Sequence, residues 1–284
     1  MEDGTHRQTA VTGTLSPVTP TASPPSNSSP ADSLVKSLPK LATCHILKPL
    51  CFTSNPISLA QFNPPLPSLR ASRSCASAGL TSQALSLTFS ALKNLTFLEL
   101  SYNNLTGSIP NSLSQFSNLD TLHLDRNKLT ALLACPIPKS FGEFHGSVLA
   151  LYLSHNQLSG KIPTSLAKLD FSTIDFSRNK LEGDASMLFG LNKTTQKVDL
   201  SRNLLEFDLS KVKFSKSLSS LDLNHNKITG SIPVELTQGD LQYLNVSYNR
   251  LCGQIPVGGK LQSFDSSTYF HNRCLCGTPL PSCK

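Results

Sequence analysis

The chain has 284 residues, with 25 Lys and Arg against 18 Asp and Glu, a net charge of +7 and a hydrophobic fraction of 38%. This length accommodates one large domain or two, and the sequence has no run of 18 or more apolar residues that would form a membrane-spanning helix. The charge suits attraction to a polyanion. Nucleic acid is not an expected partner, because there is no basic run of five residues and no nucleic-acid motif.

The N-terminal third differs in composition from the rest of the chain. Residues 1–40 are rich in Ser, Thr and Pro and have few large apolar side chains, which predicts a disordered leader. Met1 to Thr14 has neither the basic start nor the apolar run of a secretory signal. Residues 41–91 hold short apolar pieces without a readable period, so we expect an irregular or degenerate capping region, which Cys44, Cys51 and Cys75 would staple.

From residue 92 the chain repeats itself. The segment SYNNLTGSIP at 101–110 returns as SHNQLSGKIP from 154, NHNKITGSIP from 224 and SYNRLCGQIP from 247. One asparagine marks each copy, at steps of 24, 29, 23, 24, 23 and 23 residues: Asn103, Asn127, Asn156, Asn179, Asn203, Asn226 and Asn249. This period and the frame L-x-L-x-x-N-x-L are typical of leucine-rich repeats, so residues 92–256 are predicted to form about seven repeats.

The frame predicts an α/β fold, a solenoid with a concave parallel β-sheet. In each strand the two leucines point into the coil, and the residue between them faces out. The marker asparagine stands where the strand ends, and its buried carboxamide can satisfy backbone groups left unpaired by the turn. Stacked coils then share one leucine core. The single 29-residue step holds an insertion within 129–140, and its Cys135 has no evident partner.

Two features are typical of a secreted protein. Four cysteines lie close together near the C-terminus: Cys252 at the end of the last repeat, and Cys274, Cys276 and Cys283 within residues 257–284. They predict that residues 257–284 form a C-terminal cap held by disulfides. The spacing leaves three pairings open, and a zinc site is the weaker alternative because no matching histidine cluster is present. Besides Asn27, glycosylation sequons occur within the repeats at Asn94, Asn104, Asn192 and Asn245.

Three stretches resemble the plant polygalacturonase-inhibiting proteins: KNLTFLELSYNNLTGSIP, DASMLFGLNKTTQ and the tail GGKLQSFDSSTYFHNRCLCGTPLPSCK. The resemblance covers roughly the last two thirds of the chain, and the N-terminal third does not match the family. It implies a secreted cell-wall glycoprotein of plant defence that blocks fungal and insect pectin-degrading enzymes through its concave face. It also implies that Cys252 pairs with Cys274 and Cys276 with Cys283.

Two columns of residues decide what the concave face could bind. The residues between the paired leucines form the outward column: Glu99, His123, Tyr152, Asp175, Asp199, Asp222 and Asn245. The residues before the marker asparagines form a second column: Tyr102, Arg126, His155, Arg178, Arg202, His225 and Tyr248. An acidic stripe beside a basic one can bind a protein or an acidic polysaccharide. Alternatively, the aspartates and arginines satisfy each other across the coils.

The resemblance favours binding over mutual satisfaction. It implies that the whole outward column contacts the enzyme, and that Arg126, Arg178 and Arg202 contact pectin. We expect a monomer without a cofactor, a metal site or a membrane contact.

Catalysis finds no support, because no nucleophile elbow, zinc-protease or phosphate-loop motif is present. His123, His155 and His225 stand in different columns or distant coils, so they would not converge on a metal. A receptor-like recognition module would share the repeats and remains an alternative. Ice binding is a further alternative, although Thr106, Thr130 and Thr229 give only a broken row.

Overall fold

The computed structural model describes residues 68–70, 95–116, 118–131, 136–144 and 149–284. The predictions for residues 1–40, for nearly all of 41–91 including its three cysteines, and for Cys135 and Asn94 lie outside these residues.

Short strands and 3-10 turns make up the regular structure of the described residues. The strands, in chain order, are β1 (Ser68–Arg70), β2 (Phe97–Glu99), β3 (Thr106–Gly107), β4 (Thr121–His123), β5 (Lys128–Leu129), β6 (Leu149–Tyr152), β7 (Ser159–Lys161), β8 (Phe171–Asp175), β9 (Lys180–Gly183), β10 (Lys197–Asp199), β11 (Leu204–Leu205), β12 (Ser220–Asp222), β13 (Tyr243–Asn245), β14 (Cys252–Gln254) and β15 (Cys274–Cys276). The 3-10 turns are Asn111–Gln115, Lys139–Glu143, Thr164–Lys168, Ser186–Leu188, Leu209–Lys211, Val234–Thr237 and Ser266–Tyr269. In this part of the chain no helix has the length and apolar character needed to cross a bilayer.

Eight parallel strands form the main sheet, in the order β1-β2-β4-β6-β8-β10-β12-β13. The register keeps equivalent residues side by side, so that Leu98 pairs with Leu122 and Leu122 with Leu151. Strand β1 precedes the first predicted repeat and pairs Leu69 with Leu98. The parallel stack confirms the predicted solenoid. Its helical part consists of short 3-10 turns, because a coil of about 24 residues closes with little room for longer helices.

The leucine core follows from the alternation of the strands. Leu98, Leu122 and Leu151 are fully buried, and the leucines that directly follow strands β2 and β4, Leu100 and Leu124, are buried as well. Each 3-10 turn adds one buried side chain on the opposite side of the coil, such as Leu113 and Leu166. A core between sheet and turns therefore runs through the stacked coils.

The marker asparagines hold the coils in register. The Asn179 side chain donates from Nδ2 to the carbonyl oxygens of Leu153, Phe176 and Ser177 at 3.0, 3.1 and 3.2 Å, and its Oδ1 accepts from the Leu158 amide at 3.0 Å. Asn127, Asn156, Asn203 and Asn249 repeat this pattern, with buried side chains. The buried carboxamides thus satisfy backbone groups of two neighbouring coils, as expected from the frame.

The C-terminal segment closes this end of the stack. Disulfides join Cys252 to Cys274 and Cys276 to Cys283, and strands β14 and β15 pair in parallel beside the first of them. Asn272 acts as an eighth marker: its Oδ1 accepts from the Leu251 amide at 3.0 Å and its Nδ2 donates to Val246 at 3.0 Å. The coil that carries Asn272 therefore stacks as one more repeat inside the segment expected to be a cap.

Candidate partner-binding face

The outward column lies in one line across the concave sheet. Its members pair in register from strand to strand: Glu99 with His123, His123 with Tyr152, Tyr152 with Asp175, Asp175 with Asp199, Asp199 with Asp222, and Asp222 with Asn245. Adjacent strands lie about 4.8 Å apart, so this column spans six such steps. The structure thus brings all seven predicted partner-binding residues onto one surface.

The N-terminal half of the outward column is aromatic. The His123 ring stacks on Tyr152 with centroids 4.1 Å apart and planes 8° apart, and Phe97 lies 5.5 Å away on its other side. The Asp125 carboxylate lies 3.6 Å from His123 Nδ1 and accepts from the Ser101 hydroxyl at 2.7 Å. Burial raises the pKa of Asp125, but the hydrogen bonds from His123 and Ser101 outweigh it and lower that pKa overall. Asp125 therefore stays ionised and fixes the orientation of the imidazole.

The C-terminal half is the acidic stripe, formed by Asp175, Asp199 and Asp222. Each carboxylate accepts the amide N–H two residues further along: Asp175 from Ser177 at 3.1 Å, Asp199 from Ser201 at 2.9 Å and Asp222 from Asn224 at 3.0 Å. Short polar side chains commonly make such local bonds where a strand ends. One oxygen of each aspartate is therefore committed to the scaffold.

The middle carboxylate has an unusual proton affinity. Burial, together with the charges of Asp175 and Asp222, raises the pKa of Asp199 to about 6, against the lowering effect of the hydrogen bonds from Ser201. Like charges on neighbouring strands disfavour the ionised form. Asp199 is thus the member of the stripe whose charge responds to mild acid.

The second column has a shared backbone conformation that sequence reasoning missed. Every residue before a marker asparagine lies in the left-handed region, with φ between 53° and 57°: Tyr102, Arg126, His155, Arg178, Arg202, His225, Tyr248 and His271. We call this set the left-handed column. Non-glycine residues rarely adopt this conformation, and it projects each side chain out beside the concave sheet. The residue types at these positions, Tyr, Arg and His, do not predict a positive φ.

Side chains contact one another at both ends of the left-handed column. The Arg126 guanidinium lies 4.9 Å from the Tyr102 ring centre, and His225, Tyr248 and His271 stack with centroids 4.1 Å apart. Burial lowers the pKa of His155, as does the charge of Arg126, and burial also lowers the pKa of His225. His271 extends the predicted column by one coil. Another step of 23 residues from Asn249 could have located it.

A second basic row runs beside this column and was not predicted. It consists of the residues that follow the marker asparagines, including Lys128, Lys180, Lys227, Arg250 and Arg273. The two rows together form the basic rim; they hold no Asp or Glu and eight of the chain's 25 Lys and Arg. The basic rim is therefore a concentration of positive charge without acidic residues inside either row.

The alternative that aspartates and arginines neutralise each other does not match the ion pairs. Among the described residues, the ion pairs involve Asp125, Asp208, Glu206, Glu235 and Asp240. Within the same part of the chain, no ion pair joins an arginine of the left-handed column to the acidic stripe. In this part of the chain the aspartates of the stripe and the arginines of the left-handed column therefore do not neutralise each other through ion pairs.

The three described sequons differ in position. Asn192 is exposed in the loop before β10, and Asn104 is partly exposed beside the basic rim. Asn245 lies on the concave face, where its Oδ1 accepts from the Ser247 amide at 3.1 Å and from the Ser247 hydroxyl at 2.7 Å. A glycan on Asn245 would cover one end of the outward column, so the two roles predicted for Asn245 exclude each other.

The geometry does not favour a metal site or an ice-binding row. In the part of the chain that the structure describes, no group of three His, Cys, Asp or Glu is placed to hold a metal ion, and the four cysteines considered for zinc form disulfides. The threonines considered for ice binding do not form a row, because Thr106 pairs with Lys128 and Thr130 with Gln157.

The period, the parallel stack and the asparagine ladder define a leucine-rich repeat solenoid. A family model described as Leucine rich repeat matches residues 86–129, and a second of the same description matches 147–169, 217–238 and 240–259. The leucine-rich repeat protein FLOR 1 of Arabidopsis thaliana is 58% identical over 250 residues, with 72% of this chain and 77% of that protein covered. The polygalacturonase inhibitor of Pyrus communis is 67% identical over 145 residues, with 51% of this chain and 44% of that protein covered. The chain belongs to the leucine-rich repeat family that includes FLOR 1, and it is similar to the polygalacturonase inhibitors over about half of its length.

Among solved structures, a plant ice-binding protein matches with a TM-score of 0.66 at 53% identity, covering 69% of this chain and 62% of that one. The chain spans about half the length of the polygalacturonase inhibitors it matches.

Proposed function

We propose that this protein inhibits polygalacturonases by binding them through its concave face, as a secreted protein of the plant cell wall. It acts as an inhibitor and not as an enzyme. The outward column contacts the partner enzyme, of fungal or insect origin, and the protein works as a monomer.

The similarity to the polygalacturonase inhibitor of Pyrus communis carries this proposal, at 67% identity over 145 residues. The geometry supports it, because the outward column stands in one line across the concave sheet, and in the described part of the chain Asp175, Asp199 and Asp222 form no ion pair. Charged groups that are not neutralised within the protein give specificity and steer association with a protein of opposite charge. The two disulfides suit an oxidising compartment such as the cell exterior.

An inhibition assay tests the proposal. The purified, disulfide-intact protein is titrated against a fungal endopolygalacturonase, and the release of reducing ends is followed. We expect inhibition by the wild type and its loss in Asp199→Lys, because a cation then occupies the centre of the acidic stripe.

Glu143→Lys is the matched control. It makes the same change of charge at an exposed residue of the 3-10 turn Lys139–Glu143, on the side of the coil opposite the sheet. Circular dichroism confirms that both variants are folded. Absence of inhibition by folded wild type, or equal inhibition by both variants, would contradict the proposal.

We further propose that the basic rim holds pectin, with Arg126, Arg178 and Arg202 in contact with its carboxylates. Eight Lys and Arg and no Asp or Glu stand in the two rows of this rim, and arginine forms bidentate bonds with carboxylates. Co-sedimentation with calcium pectate should weaken in Arg178→Gln/Arg202→Gln and with added salt. Unchanged sedimentation of that double variant would contradict the assignment, and Lys168→Gln on a 3-10 turn serves as the control.

A further inference from the structure

A depression opens to solvent on the loop between the 3-10 turn Ser186–Leu188 and strand β10, where one of the glycosylation sequons stands. Its volume is about 320 Å³, and its lining residues are Asp170, Gly190, Leu191, Asn192 and Lys193. Small-molecule sites in proteins commonly measure about 300–1,000 Å³. The acceptor asparagine of the sequon therefore stands in the wall of a cavity that has room for a small ligand.

The rest of the sequon is anchored to the preceding coil. Lys193 Nζ donates to the carbonyl oxygen of Ala167 at 2.8 Å and to that of Leu169. Both carboxylate oxygens of Asp170 accept from the Thr194 amide, at 2.8 and 3.1 Å. The second and third residues of the sequon are thus held in place, so the walls of the depression are formed before any sugar is attached.

One wall of the depression is apolar. Leu191 is 61% exposed, although Phe189, two residues earlier, packs against the leucine core. Gly190 contributes no side chain to fill the space, and a Cβ there would come within 3.4 Å of Lys193 Cγ. A lone exposed leucine is ordinary on a protein surface, but this one shares a cavity with a glycan acceptor and with the Asp170 carboxylate.

The first sugar of an N-linked glycan has chemistry that matches this lining. It is N-acetylglucosamine, whose acetyl methyl and ring C–H groups are apolar and whose hydroxyl groups donate hydrogen bonds. Contact with the Leu191 side chain removes apolar surface from water, and the Asp170 carboxylate has acceptor capacity beyond the Thr194 amide. Because the sugar is covalently held beside these groups, it meets them at a high effective concentration.

We propose that Asn192 carries an N-linked glycan whose first N-acetylglucosamine packs on Leu191 in this depression and stabilises the folded protein. The attachment is a group transfer from a lipid diphosphate-linked oligosaccharide, catalysed by the host's transferase. The bond from sugar C1 to the phosphate breaks, the bond from C1 to Asn192 Nδ2 forms, and the proton lost from Nδ2 leaves with the lipid diphosphate. The inference goes beyond the proposed function, because it requires a glycosylating compartment and no partner enzyme.

A double-mutant cycle on the secreted glycoprotein tests the contact. The protein is produced in a eukaryotic host and trimmed with endoglycosidase H to one N-acetylglucosamine at each occupied site, and peptide mass spectrometry measures the occupancy of Asn192. Thr194→Ala removes the sequon but keeps the acceptor asparagine and the backbone amide that Asp170 binds. Leu191→Ser removes the apolar wall, and it is expected to fold because this side chain is exposed.

We expect Thr194→Ala to lower the folding equilibrium constant about fivefold to tenfold in urea denaturation, the effect of uncovering part of a leucine side chain. In the Leu191→Ser background the same substitution should have no effect. The same four proteins secreted into a bacterial periplasm, without glycans, correct for the loss of the threonine itself. Asn104→Gln is the matched control, since it removes another sequon and its effect should not depend on Leu191.

NMR of the trimmed glycoprotein gives a direct second measurement, in which the acetyl methyl of the sugar should show a nuclear Overhauser effect to the Leu191 methyl groups. An unoccupied Asn192 overturns the inference. So does a glycan effect of equal size with and without Leu191→Ser, or an occupied site whose sugar shows no contact with Leu191. These outcomes leave the proposed inhibition of polygalacturonases intact, because the inhibition assay tests it separately.

Discussion

The hydroxyl of Tyr243 donates a 2.9 Å hydrogen bond to Oδ2 of Asp222, across two neighbouring strands of the concave sheet. Tyr243 stands two residues before Asn245, so its side chain points to the same face as the outward column. Burial raises the pKa of the Tyr243 phenol, and the Asp222 charge raises it further. The hydroxyl therefore remains a donor at any pH at which the protein works, and it fixes one end of the acidic stripe.

Tyr243→Phe should cost about 0.5–1.5 kcal/mol of unfolding free energy, the usual net value of one hydrogen bond. Urea denaturation measures the loss. Tyr248→Phe is the matched control, because it removes a phenol and keeps the ring that stacks between His225 and His271. Equal losses in the two variants would show that the bond to Asp222 contributes nothing.

The marker asparagines should be the polar residues most costly to remove. Asn179→Ala leaves the amide of Leu158 and carbonyl groups of Leu153 and Phe176 without their side-chain partner in a buried region. Each buried group left unpaired costs about 1–3 kcal/mol, so we expect a loss of at least about 3 kcal/mol in urea denaturation.

Asn103→Ala provides the comparison at the first marker. Asn103 donates to the carbonyl oxygens of Leu100 and Ser101, but its buried Oδ1 has no hydrogen-bond partner among the residues that the structure describes. It therefore holds fewer backbone groups than Asn179, and its removal should cost less. If both variants unfolded at the same urea concentration, the hydrogen bonds of the marker asparagines between coils would not be the source of stability.

The strands that carry the concave face were predictable from the sequence, because the spacing of the leucines within each repeat determines them. A period of 23–24 residues with leucines at fixed offsets sets the strand, and the strand sets which residue faces out, so Asp175, Asp199 and Asp222 could be aligned before any coordinates existed. The last coil was not predicted, because its sequence lacks the leucines on which the prediction depends. Ser267 and Tyr269 stand there where leucines stand elsewhere, and only the distance from Asn249 to Asn272 preserved the period.

The differences within the acidic stripe could not be predicted. They depend on a bond between strands, from Tyr243 to Asp222, and on the relative burial of Asp199. Neither follows from spacing, since a side chain's rotamer and its neighbours across the sheet are set by packing. The left-handed conformation was equally hidden, because the residues that adopt it, such as Arg178 and Tyr248, have no intrinsic preference for it.

Substitutions at Arg178 should separate the backbone role of the left-handed column from its charge. With φ at 55°, Arg178 occupies a conformation that costs L-residues about 1–2 kcal/mol and glycine almost nothing. Arg178→Gly should therefore be more stable than Arg178→Ala by about 1 kcal/mol. Thermal unfolding of the two variants measures the difference, and identical midpoints would refute a strained position.

Both Arg178 variants should lose pectate binding to the same extent, because both lose the guanidinium. A difference in binding between them would mean that the backbone, and not the charge, determines this interaction.

The pH dependence of stability should carry the signature of Asp199. Its pKa rises from 3.8 to about 6 on folding, so between these values the folded state binds more protons than the unfolded state. Stability contributed by this group is complete below about pH 4 and is lost as the pH rises through about 6. Asp125 and Glu235 act in the opposite direction, because their pKa values are lowered by hydrogen bonds from His123 and Lys213.

The contribution of Asp199 is therefore best measured as a difference. Between about pH 4 and 7, wild type should lose up to about 3 kcal/mol of unfolding free energy relative to Asp199→Asn, since a shift of one pKa unit corresponds to about 1.4 kcal/mol. Urea denaturation of both proteins across this range gives the difference curve, with Glu143→Gln on the exposed side of the 3-10 turn Lys139–Glu143 as the control. Parallel curves for wild type and Asp199→Asn would show that Asp199 has no special proton affinity in the folded protein.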